Sequence, residues 1–213
     1  TWWVIVPALI VCVGIINAYN FMDGINGITG CYSLAVIAPL FYLNREMYFI
    51  DESLLAVTAL SAVVFLVFNF RKKAKCFAGD VGSVSIAFIV LFALGRLIMA
   101  TGNPVYLLFL AVYGADTVLT IIHRIMLKEN LGEAHRKHAY QIMSNELKMR
   151  HTLVSVIYMA LQLAISFGLI AIGDSTGQWI YFCAIIAILA IGYLVFMKNF
   201  YYLHEQYLLA KKS

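Results

Sequence analysis

NAYNFMDGINGI, Asn17–Ile28, closes a run that is almost wholly apolar from Trp2 to Ile16. Asn17, Asn20, Asp23 and Asn26 stand three residues apart, with Gly24 and Gly27 beside them. On a helix continuing from the apolar run, that spacing keeps the side chains on roughly one face. The glycines let backbone or ligand come close. So abrupt a boundary reads as a membrane span whose end carries hydrogen-bonding groups into water. A helix cap and turn would use the same residue types without any ligand.

The remainder of the chain repeats the pattern. Of 213 residues, 63% are hydrophobic and 12% charged, where a soluble domain is nearer half and a quarter. Seven apolar blocks follow one another: Trp2–Ile16, Gly27–Leu43, Ser53–Phe70, Val84–Ala100, Val105–Ile122, Thr152–Ile172 and Trp179–Met197. Each approaches the roughly 20 residues that carry a helix across a bilayer core. No segment alternates as a membrane β-strand does. The expected fold is an all-α polytopic membrane bundle of about seven transmembrane helices, a single domain over residues 1–213.

Lysine and arginine set the expected orientation. With the Asn17–Ile28 end in the cytoplasm, the inner segments are Arg71–Lys75, His123–His151 and the tail from Lys198; they hold 13 of the 15 basic residues. The outer loops hold only Arg45. This is the positive-inside distribution, and it makes the net charge of +4 a topology signal rather than a nucleic-acid one. Cys12, Cys31, Cys76 and Cys183 have no CxxC spacing and read as small apolar fillers. Thr1 in place of a start methionine, with Trp2 and Trp3 as interfacial anchors, leads us to expect a chain that begins within a longer protein.

Polar residues gather in the inner loops, near 17–27, 71–83 and 123–151. CFAGDVGS, Cys76–Ser83, puts Gly79, Asp80 and Gly82 at a helix start. Backbone N–H groups there favour anions, and the aspartate could hold a divalent cation that in turn holds phosphate. An N-cap is the bland alternative. HRKHAYQ, His135–Gln141, packs histidines, an arginine and a lysine into four residues. It is a poor zinc set, lacking thiols, and suits phosphate contact by Arg136 and His138. Two ionisable residues lie inside spans. Asp116 should face the protein interior or a polar cavity, with a partner, while Arg96 can reach the outer interface.

These motifs, in this order, resemble those of the polyprenyl-phosphate N-acetylhexosamine-1-phosphate transferases, a glycosyltransferase family 4 group. NAYNFMDGINGI resembles the family's Asn-x-x-Asn-x-x-Asp-Gly-x-Asp-Gly loop, with Asn26 where Asp is usual. CFAGDVGS is similar to its Phe-x-Gly-Asp-x-Gly-Ser turn, and Asn69 resembles a family asparagine near the nucleotide, displaced by one residue. HRKHAYQ resembles an Asp-Arg-x-His-x-His-His loop. His135 replaces the aspartate, and Tyr140 and Gln141 replace the later histidines. Asp116 resembles a family aspartate in the preceding helix, although the proline before it is absent here.

The resemblance implies a multi-pass bacterial inner-membrane enzyme with cytoplasmic active-site loops. It would transfer N-acetylhexosamine-1-phosphate from a UDP-N-acetylhexosamine to undecaprenyl phosphate, releasing UMP. That step would initiate cell-envelope polysaccharide synthesis, lipopolysaccharide included. It assigns Asp80 to a Mg2+ site, with Mn2+ an alternative. Asp23, Arg136 and His138 become catalytic, and Asn17, Asn20, Asn26, Asn69 and Tyr140 bind substrate. The partners implied are the two substrates and the bilayer, with no nucleic acid; a homodimer is one open arrangement. Direct attack and a covalent aspartyl intermediate both remain open. The family carries an Asp-Asp pair on an earlier loop, and this chain has no such pair. The expectation is therefore the C-terminal part of a transferase, inactive alone. The rival readings are a transporter-like protein, which would carry broken helices and mid-membrane charges, and a non-catalytic membrane subunit.

Overall fold

The structure, a computed structural model, describes residues 2–133 and 135–212, with no side-chain description for Val4 or 208–212. Thr1, on which the expected internal start rests, lies outside the described residues. A 3-10 turn at Trp2–Val4 leads into α1 (Ile5–Met22). There follow α2 (Ile28–Met47), α3 (Glu52–Asn69) and α4 (Gly79–Thr101). A 3-10 helix over Pro104–Leu110 runs into α5 (Ala111–Met126). The short α6 (Ala139–Asn145), α7 (His151–Ile170) and α8 (Ser175–Lys212) complete the chain. No strand occurs among the described residues, so the all-α expectation holds.

The seven apolar blocks each became a long helical segment, but six are long and apolar enough to cross a membrane. The exception is α2. It lies between α3 and α7, and Tyr32, Ala35, Val36 and Leu40 show no exposure at all. A helix enclosed by other helices meets little lipid, so Gly30, Ser33 and Asn44 are admissible in it, while Arg45 and Glu46 lie exposed at its end. The peripheral helices show the opposite: Val57 and Leu60 on α3 and Ile188, Ile191 and Leu194 on α8 turn outward, each more than 60% exposed. An apolar surface of this extent has lipid as its solvent.

Two block boundaries moved. The fifth span begins as a 3-10 helix, started by Asn103, whose side chain accepts from the Val105 N–H, with Pro104 in the first turn. The tail from Lys198 is not a loop, because α8 continues without a break. At about 1.5 Å per residue its 38 residues span about 57 Å, well beyond a bilayer core of about 30 Å. The projecting part is tied down by His204, whose Nδ1 lies 2.7 Å from Glu146 Oε1 at the end of α6.

The fifth span is held by an interhelical amide. Where 3-10 gives way to α-helix, the Gln162 side chain of α7 accepts from Val112 N–H (3.1 Å) and donates to Leu108 O (2.9 Å). Those are the two groups that a regular helix would bond to each other. Tyr32 of α2 donates to the same Gln162 oxygen (2.7 Å) and accepts from Tyr113 N–H (3.1 Å). With no water in a bilayer core, backbone groups freed by an irregular helix must be met by side chains.

Candidate functional site

Alternating helices bring the ends of α1, α3 and α5 and the starts of α2, α4 and α7 to one end of the bundle. The three polar loops meet there. Asn20, on the last turn of α1, donates to Asp80 Oδ1 (2.9 Å) and to Ser83 Oγ (3.3 Å) on the first turn of α4. Asp23, just past α1, accepts from Thr29 Oγ1 (2.5 Å) and from Gly79 N–H (3.0 Å). The first two motifs, some 60 residues apart in sequence, thus face each other through side chains. Burial raises the Asp23 carboxyl above the usual range; hydrogen bonds from Thr29 and Gly79 oppose the rise, and the charge of Asp80 adds to it.

Asn26 and Asn69 occupy the back of this site. Asn26 donates to Arg71 O (2.7 Å), and its carbonyl accepts from Ser155 Oγ of α7 (2.9 Å). Buried Asn69 bonds at both ends, donating to Cys76 O (2.7 Å) and accepting from Gly27 N–H (2.5 Å). These amides knit three segments together. Gly27 holds a left-handed φ of 91°, and a Cβ there would collide with the Phe70 ring. Asn17 stays exposed on α1.

The third motif divides in two. His138 and Tyr140 turn inward. Tyr140 is fully buried, and its hydroxyl donates to Phe21 O (2.8 Å) beside Gly24, where any Cβ would meet the ring. His138 lies against Phe21 and Tyr140, its Nδ1 3.5 Å from Asp116 Oδ1. Lys137 pairs with Glu129, and buried Arg124 donates to the carbonyls of Asn130 and Glu133, closing the loop that follows α5. Arg136 alone of the cluster is exposed, at the rim of a cleft of about 590 Å3 beside α8. Among the described residues no hydrogen bond or ion pair joins Arg136 to Asp23 or Asp80.

Asp116 has the buried partners that its position in a span demands: Tyr158 Oη (2.7 Å), Thr120 Oγ1 (3.2 Å) and the N–H of Ala139 (2.9 Å). Reading the sequence passes over Thr29, Thr120 and Tyr158. The available signal is a hydroxyl on an otherwise apolar helix, which in lipid calls for an internal partner.

Asp23 and Asp80 offer carboxylate oxygens and Ser83 a hydroxyl, the kind of donors that hard divalent cations take, while Asn20 faces Asp80 and Ser83 through its N–H2. Among the described residues neither carboxylate pairs with Lys or Arg, and no group of three or more His, Cys, Asp or Glu could hold a metal by itself. Two carboxylates without a full cage suit Mg2+, which keeps waters and shares itself with substrate phosphate.

The sequence profile of glycosyl transferase family 4 matches residues 1–99, which carry both facing motifs. The chain is similar to this family over that stretch. Its similarity to family relatives extends further along the chain. It is 30% identical to the probable undecaprenyl-phosphate N-acetylglucosaminyl 1-phosphate transferase of Bacillus subtilis over 166 residues, 74% of this chain and 45% of that protein. Against the undecaprenyl-phosphate alpha-N-acetylglucosaminyl 1-phosphate transferase of Thermotoga maritima the identity is 27% over 157 residues, 70% of this chain and 46% of that protein. Against the phospho-N-acetylmuramoyl-pentapeptide-transferase of the same organism it is 30% over 123 residues, 58% and 39%. The chain spans less than half the length of the relatives it matches. Asn20 and Asp23 of the first motif and Gly79, Asp80 and Ser83 of the second are joined by hydrogen bonds, while Asn17 stands apart.

Proposed function

We propose that this protein transfers N-acetylhexosamine-1-phosphate from a UDP-sugar to undecaprenyl phosphate, releasing UMP, at the inner face of a bacterial cytoplasmic membrane. The observation that carries the reading is the meeting of the Asp23 and Asp80 loops, through the bonds from Asn20 to Asp80 and from Gly79 N–H to Asp23, at the end of the bundle where the polar loops gather. The relatives' names support the lipid acceptor and a sugar 1-phosphate, and the N-acetylglucosamine relatives align over more of this chain than the muramoyl-pentapeptide one. One substrate is water-soluble and the other is a lipid with its phosphate at the interface, so chemistry belongs where polar loop meets bilayer.

In this reading a phosphate oxygen of the lipid forms a bond to the β-phosphorus of the UDP-sugar as the bond to UMP breaks. Phosphoryl transfer asks the protein for position and charge balance. Asp80 and Asp23 would hold Mg2+, which when bound neutralises charge on the pyrophosphate. Asn20 fixes the Asp80 carboxylate, and Thr29 and the Gly79 N–H fix that of Asp23. Exposed Arg136 supplies a cation for phosphate, and buried His138 and Tyr140 shape the wall behind it. A transporter reading draws no support from the polar groups inside the bundle, since Gln162, Tyr32 and Asp116 are bonded within the protein.

The test uses the full-length protein in detergent with Mg2+, undecaprenyl phosphate and UDP-N-acetylglucosamine. Asp80→Asn and Asp23→Asn each lower UMP release by at least about a hundredfold, on the scale of losing an electrostatic group from a preorganised site, with insertion intact. Near-normal turnover in either variant removes that residue from the site.

A further inference from the structure

Asp116 stands apart from the Asp23–Asp80 pair, yet its hydrogen bonds lead to it. Oδ1 accepts from the N–H of Ala139, the first residue of α6, and Oδ2 faces the N–H of Tyr140, the second (3.4 Å). The opening N–H groups of a helix have no partner within it, and here a carboxylate from another helix meets two of them. Thr120 and Tyr158 hold that carboxylate from α5 and α7. Gln141 Oε1 accepts from the His138 N–H (3.3 Å), so the turn is closed at both sides. The α6 so fixed carries Tyr140, whose hydroxyl bonds Phe21 O two residues before Asp23. His135 and His138 pack on the Phe21 ring from the same side.

We infer that Asp116 is a positioning residue: through the start of α6 and the Tyr140–Phe21 bond it sets where the His135–His138 segment sits relative to the loop bearing Asp23. The catalytic consequence rests on the function proposed above; the geometric one does not. Asp116→Asn presents an N–H2 group to at least one backbone N–H that needs an acceptor, and the start of α6 loses its seat. Tyr158→Phe removes a donor from the same carboxylate and leaves both α6 N–H groups bonded. Tyr140→Phe cuts only the bond to Phe21.

Two measurements on the full-length protein test this. The first is tryptic cleavage after Arg136 and Lys137 in detergent-solubilised protein, read as a rate without any turnover. Asp116→Asn raises that rate about tenfold, and Tyr158→Phe leaves it within about twofold of wild type. The second is UMP release. Asp116→Asn lowers kcat about tenfold or more with a raised KM for the UDP-sugar, Tyr140→Phe lowers it less, and the double variant is no worse than Asp116→Asn because the two act in one chain of contacts. If Asp116→Asn does not fold, Tyr140→Phe still has to lower kcat, and by more than Tyr158→Phe does. Equal cleavage in Asp116→Asn and wild type overturns the inference, as do additive losses in the double variant. Absence of UMP release from wild type, with the cleavage pattern as expected, sinks the proposed function and leaves the positioning role standing.

Discussion

Asn26 and Asn69 illustrate how a motif asparagine can serve the loop rather than the ligand. Both bind backbone groups of segments more than 40 residues away, at distances of 2.5–2.7 Å, and so set the frame in which Asp23 and Asp80 meet. His135 carries a sharper consequence. Burial, then the charges of His138, Arg124 and Lys137, lower its pKa from 6.5 to about 4. The unfolded chain therefore binds the proton first, and stability rises with pH from about 4 to about 6.5. His135→Gln should flatten the loss of thermal stability on acidification through that window, measured in detergent. An unchanged acid limb would show that His135 does not hold its proton affinity down in the fold. Much of this scale was legible in advance: Asn20, Asp23, Asp80 and Asp116 are read from spacing and from the cost of charge in a span. The inward turn of His138 and the pairing of Lys137 with Glu129 were not, because a run of basic residues in sequence says nothing about which of them a loop will bury.

At the scale of elements, the apolar blocks located the helices and left their surroundings undetermined. α2 and α3 differ little in length, and the lower hydropathy of α2 does not by itself say that it is enclosed while α3 meets lipid. The 3-10 start of the fifth span was equally hidden, since its stability comes from Gln162, 50 residues beyond Val112. Gln162→Leu would strand Val112 N–H unless the helix rewinds, a cost of about 1–3 kcal/mol, while Leu108 O keeps the Ala111 N–H. Tyr32→Phe removes two interhelical bonds, to Gln162 and from Tyr113 N–H, at an average of about 0.6 kcal/mol for each such bond in membranes. Thermal denaturation of the two variants checks the order, and a neutral Gln162→Leu would mean that the amide holds nothing together.

For the whole molecule, the fold works as a device for assembling one polar surface from distant loops. Seven long helical segments carry α1–α2, α3–α4 and α5–α7 connections to the same end, and α8 extends beyond them to brace α6 through His204 and Glu146. On the function proposed above, that end faces the cytoplasm, in keeping with the positive-inside distribution of its basic residues. In the proposed reaction this surface moves a sugar together with its phosphate. The direct measurement follows label from UDP-N-acetylglucosamine carrying 32P in the β-phosphate, incubated with the full-length protein, Mg2+ and undecaprenyl phosphate. Label should enter the lipid fraction, with unlabelled UMP in the water. Label that stays with the nucleotide, or leaves as free phosphate, would rule this reaction out.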